Sequence, residues 1–152
     1  MATPSQRVSL AARSLMAGGF FLVAAAAFHF LAASHIPMIL KRVLDAGTYE
    51  FLEPIVSFTF LLNGVLLLPL SFSTFCCAAG IRRGESWAWW MGVANAATVL
   101  VLPCLLVATM GLRYFSGAPL LVAGALSISI AGLCMMLPLL RARRDIALSS
   151  RK

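Results

Sequence analysis

The sequence predicts an all-α polytopic membrane protein: an up-down bundle of four transmembrane helices, with a short amphipathic helix in the first outer loop. Three observations carry that expectation. Of the 152 residues, 61% are apolar and only 11% charged, whereas a soluble domain has about 45–50% and about 25%. The charges are bunched, leaving four long stretches without Lys, Arg, Asp or Glu. The cations alternate between connections so that each connection can be assigned to one side of a membrane. Too few polar side chains remain to cover a water-soluble globule, and the same numbers exclude disordered, collagen-like and disulfide-scaffold classes.

The uncharged stretches are residues 14–40, 54–81, 86–112 and 114–140, each 27 or 28 residues long. A helix needs about 20 apolar residues to cross a hydrocarbon core of about 30 Å, so each stretch holds one crossing and none holds two. Unpaired backbone amides in lipid cost several kcal/mol each, which makes the crossings helical. Runs such as Leu66-Leu67-Leu68 and Met135-Met136-Leu137 lack the alternation of a β-barrel. Spans are expected near 10–33, 54–79, 86–112 and 117–140, in one transmembrane domain covering 1–152. The first span follows Arg7 and Arg13 as a signal peptide would. Its apolar run of about 20 residues exceeds the roughly 7–15 of a signal core, so a retained span is expected.

Orientation follows from the twelve cations. Nine of them (Arg7, Arg13, Arg82, Arg83, Arg141, Arg143, Arg144, Arg151 and Lys152) fall on one side, and Lys41, Arg42 and Arg113 on the other. Loops rich in Lys and Arg stay cytoplasmic, which puts both termini inside, as an even number of spans also requires. The net charge of +7 is therefore read as a topology determinant touching anionic membrane lipids, with no nucleic-acid partner.

The connections differ in length. Residues 80–86 form a tight inner turn leading into Trp87, Trp89 and Trp90, which are expected at the headgroup level. Residues 113–118 make an equally short outer turn, with Tyr114 as its interfacial aromatic. The first outer connection, residues 34–53, is longer. Ser34 can cap a short helix begun by Pro37 and ended by Gly47. Ile39, Leu40, Val43 and Leu44 would lie on one side of it, and Lys41, Arg42 and Asp45 on the other.

Lipid is as apolar as leucine, so helices in a bilayer associate through small residues and hydrogen bonds. Span one carries Gly18, Ala25 and Ala32, and span two carries Ser57, Gly64, Ser71 and Ala78, both at the seven-residue interval of a left-handed seam. Spans three (Ala88, Gly92, Ala96) and four (Ala123, Ser127, Ala131) repeat at four. The stripes are expected to pack within the bundle, with a homo-oligomer face as the alternative. Pro69, Pro103 and Pro138 each remove one helix hydrogen bond and are expected to bend their spans.

Candidate chemistry is sparse. Cys76, Cys77, Cys104 and Cys134 read as buried, inert hydrophobes. Asn63 and Asn95 are expected near the midplane, where a bond between them would tie spans two and three. No acid or base stands at mid-bilayer depth, which disfavours a proton-coupled pump. Both histidines belong to span one or its exit, which disfavours haem. His29 lies eleven residues from Gly18, within about 20° of the same direction, and so is expected to face the bundle. Glu53, Asn63 or a trapped water would be its partner. In the alternative, His29 is a proton acceptor or ligand at an outer pocket, Glu53 sets its charge, and His35, Glu50 and Asp45 complete a divalent-metal cluster.

The stretch Arg82-Arg83-Gly84-Glu85-Ser86-Trp87-Ala88-Trp89-Trp90 resembles a hairpin of small bacterial four-helix membrane proteins. The layout is similar to that of the DoxX-like group, without its glycine-lysine signatures. The resemblance implies a bacterial plasma (inner) membrane and an up-down bundle, and no substrate. The function expected is that of a non-catalytic accessory or structural subunit without a cofactor, working as a homo-oligomer or within a membrane complex. One alternative is a binder or carrier of a lipophilic ligand such as a quinone or lipid, enclosed by Phe58, Phe60, Phe72 and Phe75. The other is the outer-face metal or enzyme site around His29 and Glu53.

Overall fold

Where no water is available, a chain satisfies its amides by remaining helical, and here it does so over lengths that reach or exceed one bilayer crossing. The computed structural model describes residues 3–111 and 119–149. They form four helices: α1 (Pro4–Val43), α2 (Ala46–Arg82), α3 (Ser86–Met110) and α4 (Pro119–Ser149). Each is long and apolar enough to cross a membrane. α1 and α2 outrun their expected spans at both ends and α4 at its C-terminal end, while α3 ends at Met110; at about 1.5 Å per residue α1 is about 60 Å long. The outer turn with Arg113 and Tyr114, and the terminal Arg151 and Lys152, lie outside the described residues.

No separate amphipathic helix follows span one. Residues 37–43 are the last turns of α1, which runs through Pro37. The Ser34 hydroxyl does not cap a new helix but donates back to the Leu31 carbonyl at 2.7 Å. Continuing through Pro37 loses one backbone bond, whereas ending the helix there would orphan several amides and carbonyls. The break comes at Leu44 and Asp45. Asp45 caps α2, its Oδ1 accepting from the Thr48 N–H at 3.0 Å. A hydrogen bond from the Thr48 side chain, with that backbone bond adding to it, holds the Asp45 carboxyl below the usual carboxylate range. Gly47, expected to end a helix, lies in the first turn of α2.

Between α2 and α3 the chain reverses through Gly84, whose φ of 76° suits a residue without Cβ. The Glu85 N–H bonds to the Gly80 carbonyl and the Gly84 N–H to that of Ile81, both at 3.0 Å. This is the paired closure that finishes a helix on glycine.

Contacts sort the chain into two compact units, Met1–Gly19 with Ser73–Lys152, and Phe20–Phe72. The first has a core of small and branched side chains: Ala11, Ala12 and Leu15 from α1, Cys77, Ala78 and Ile81 from α2, Ala88, Trp89 and Ala96 from α3, and Met135, Leu139, Ala142 and Ile146 from α4. Here α3 and α4 run in opposite directions, since Trp89 meets Leu139 and Leu100 meets Gly132. The second unit is the hairpin of α1 and α2, where Phe30 lies on Gly64 and His29 on Phe60.

The α4 stripe differs from expectation. Ala123 and Ser127 are exposed, Ala131 is half-buried, and the buried face is Gly132, Met135, Leu139, Ala142 and Ile146. A strict interval of four rotates by about 40° per step, while alternating three and four keeps one direction. Cys104 and Cys134 are exposed, Cys76 is half-buried, and only Cys77 is buried.

Candidate polar site

His29 belongs to the inward stripe of α1 within the hairpin, in register with buried Leu22, Ala26, Ala33 and Ile36. Its ring is half-buried and sits 5.4 Å from the Phe60 ring, tilted by 53°. The Nδ1 atom is buried and meets no hydrogen-bond partner among the described residues. Neither partner expected for it takes that place. Glu53 is half-buried and its Oε1 accepts from the Ser57 hydroxyl one turn on, at 2.9 Å. Asn63 is exposed. It precedes buried Gly64 by one residue, which turns its amide about 100° off the inward direction.

The wider cluster does not assemble. His35 is exposed and its Nδ1 lies 2.8 Å from the Leu31 carbonyl oxygen. Asp45 is occupied as the α2 cap, and Glu50 is exposed. Among the described residues no three of His, Cys, Asp and Glu stand together as a metal site would require. The phenylalanines of α2 also divide. Phe58 and Phe72 are exposed, while Phe60 rests on His29 and Phe75 lies beside Gly19. Along α2, 58 and 72 share a face that 60 and 75 do not.

The buried polar chemistry is elsewhere. Asn95 is 6% exposed and its Nδ2 donates to the Ser73 hydroxyl oxygen at 3.0 Å and to that of Thr74 at 3.2 Å. Both amide hydrogens are thereby occupied, and they tie α3 to α2 rather than to Asn63. Spacing could have indicated Thr74, which stands three residues after Ser71 and four before Ala78 on the small-residue stripe. The glycines expected to pack are in close contact. A Cβ on Gly18 would run into the Met135 thioether, one on Gly64 would come 2.8 Å from Phe30, and one on Gly92 would come 3.3 Å from Leu15.

At the other end of the first unit, Trp89 is only 7% exposed and its indole N–H donates to the Leu139 carbonyl at 2.8 Å. The Arg143 guanidinium stands 5.5 Å over its ring. Trp90 meets Trp89 edge-on at 4.7 Å and is 64% exposed. Trp89 is thus a core residue, unlike its exposed neighbours; its distance of three from Gly92 and seven from Ala96 was the signal for that. Arg7 faces Asp145 at 3.7 Å, and Arg83 bonds Glu85 at 2.7 Å.

No family model, curated protein or solved structure matches the chain.

Proposed function

We propose that this chain is a non-catalytic subunit of a bacterial plasma membrane, an accessory or structural protein. Its four helices cross in up-down order with both termini in the cytoplasm. The observation that carries the reading is the use made of buried polarity. Asn95 bonds Ser73 and Thr74, joining α3 to α2, and Trp89 bonds a backbone carbonyl of the fourth helix, joining α3 to α4. Such bonds put these polar groups to joining helices. Reporter fusions at Gly47 and Lys152 test the topology: a periplasmic-type reporter active at Lys152, or a cytoplasmic one at Gly47, overturns it. Native mass spectrometry from mild detergent tests the role, since a subunit brings partner chains or copies of itself.

The unpaired Nδ1 of His29 favours a second reading, the binding of a lipophilic ligand. A neutral imidazole nitrogen beside Phe60 accepts from a hydroxyl, as a reduced quinone would offer. Recovery of a quinone with the protein in the same spectra, lost in His29→Phe, would support this reading over the first.

A further inference from the structure

We propose that Arg143, Trp89 and Trp90 form a binding site for the phosphate headgroup of an anionic phospholipid, with Arg143 as its fixed cation. The inference begins with charge. The first unit contains two acids, Glu85 and Asp145. Glu85 is held by Arg83 and by the Trp87 side chain, and Asp145 faces Arg7. Within this unit, no other carboxylate among the described residues is left for Arg13, Arg82, Arg141 or Arg143, so the unit itself carries an excess of positive charge.

Arg143 differs from the other three in being positioned. Its guanidinium lies 5.5 Å over the Trp89 ring, and that ring is fixed by its bond to Leu139. A free arginine loses rotamer entropy when it captures a ligand; one already stacked on an immobile ring has lost part of it beforehand. The Arg143 side chain remains exposed beside the ring, so its N–H groups can still reach a ligand, and their fork matches two oxygens of a phosphate.

Trp90 supplies the second half of the site. It packs edge-on against Trp89 at 4.7 Å and stays exposed. An exposed indole suits the level where headgroup meets acyl chain. A fixed cation beside an exposed amphipathic ring fits a phosphate that carries a lipid tail better than a free anion.

The inference rests on the membrane reading above, but not on which leaflet this end occupies, so a reversed topology would not affect its test. The test uses the full chain in maltoside micelles doped with dioleoyl-phosphatidylglycerol or dioleoyl-phosphatidylcholine, with adducts counted by native mass spectrometry. The phosphatidylglycerol should be retained about fivefold more strongly, the equivalent of roughly 1 kcal/mol for a cation near anionic lipid. Arg143→Gln should remove that preference and Arg141→Gln should keep it. Arg143→Lys, which retains the charge without the planar fork, should keep only part of it, with helicity by circular dichroism unchanged in all three. Equal binding of the two lipids by the parent overturns the proposal. So does an equal loss in Arg141→Gln, which would mean diffuse charge, or displacement of the lipid by inorganic phosphate at millimolar concentration, which would mean a free-anion site.

Discussion

The indole Nε1 of Trp89 donates to the carbonyl oxygen of Leu139 across 2.8 Å, joining α3 to α4 with a bond outside either helix's own ladder. A carbonyl has two lone pairs, so Leu139 can accept it without giving up its helical partner. A buried indole N–H needs such an acceptor. Trp89→Phe keeps a ring beneath Arg143 and orphans nothing, so its cost is at least that of one net hydrogen bond, about 0.5–1.5 kcal/mol, plus that of the void left by the smaller ring. The unfolding midpoint in mixed micelles should fall accordingly, and fall further in Trp89→Leu. An unchanged midpoint in Trp89→Phe would mean that the bond contributes nothing.

Asn95 and Asn63 look equivalent in the sequence and should behave differently when replaced. Asn95→Leu removes both bonds to α2 and should cost about 0.6–2 kcal/mol. Asn63→Leu replaces an exposed amide and should stay within about 0.5 kcal/mol. The same unfolding series measures both, and the reverse order would refute the assignment.

This pair also shows what was legible beforehand. The existence of four helices followed from charge-free length, because the cost of an unpaired amide in lipid is large and independent of sequence detail. Helix ends were less legible: Pro37 and Gly47 resemble punctuation, yet one lost bond at Pro37 weighs less than an orphaned helix end. Faces were legible where small residues keep the three-four rhythm, as at Ser71 and Ala78, and failed where a strict interval of four was followed along α4. Hydrogen-bond partners were the least legible. Asn95 reaches Ser73 and Thr74 by virtue of rotation about α2, and a difference of one residue at Asn63 turns the amide outward. At His29 the partner was not legible because it depends on local choices along α2, where Glu53 Oε1 accepts from Ser57 one turn on.

Gly64 and Gly124 provide a packing test within one chain. A Cβ at Gly64 meets Phe30 at 2.8 Å, whereas one at Gly124 meets nothing within 4 Å. Gly64→Leu should cost about 1–3 kcal/mol through overpacking. Gly124→Ala should be neutral or stabilise by up to about 1 kcal/mol through helix propensity. Thermal melts in detergent decide it; a Gly64→Leu protein that melts with the parent would contradict the close approach.

Acid should loosen the turn between α2 and α3. The hydrogen bond from Arg83 holds the Glu85 carboxyl below its ordinary range, with the Trp87 side chain adding to the effect. A depressed carboxyl contributes stability that is complete above its unfolded value, about 4.3, and is lost as pH falls through the lower folded value. Glu85→Gln should therefore be less stable than the parent at about pH 6, and the gap should close as pH falls through the lowered folded value. A gap that persists at the acid end would remove the ion pair as its cause.

His29 yields a prediction of the opposite sign to the usual buried histidine. Its Nδ1 is buried without a partner among the described residues, and its ring lies 5.4 Å from that of Phe60, tilted by 53°. An unsatisfied buried polar atom costs about 1–3 kcal/mol. His29→Phe removes that atom and keeps an aromatic ring against Phe60, so in ligand-free detergent it should match or exceed the parent in stability. His29→Ala should fall below it, because a void would open beside Phe60. His35→Phe alters an exposed ring and should stay within about 0.5 kcal/mol. A clear loss in His29→Phe would mean that Nδ1 does have a partner in the folded protein. Adding a short-chain quinol then separates the two functional readings: a rise in the parent's melting temperature that is absent in His29→Phe would make the nitrogen a ligand contact, and no rise in either would leave it a packing residue of the hairpin.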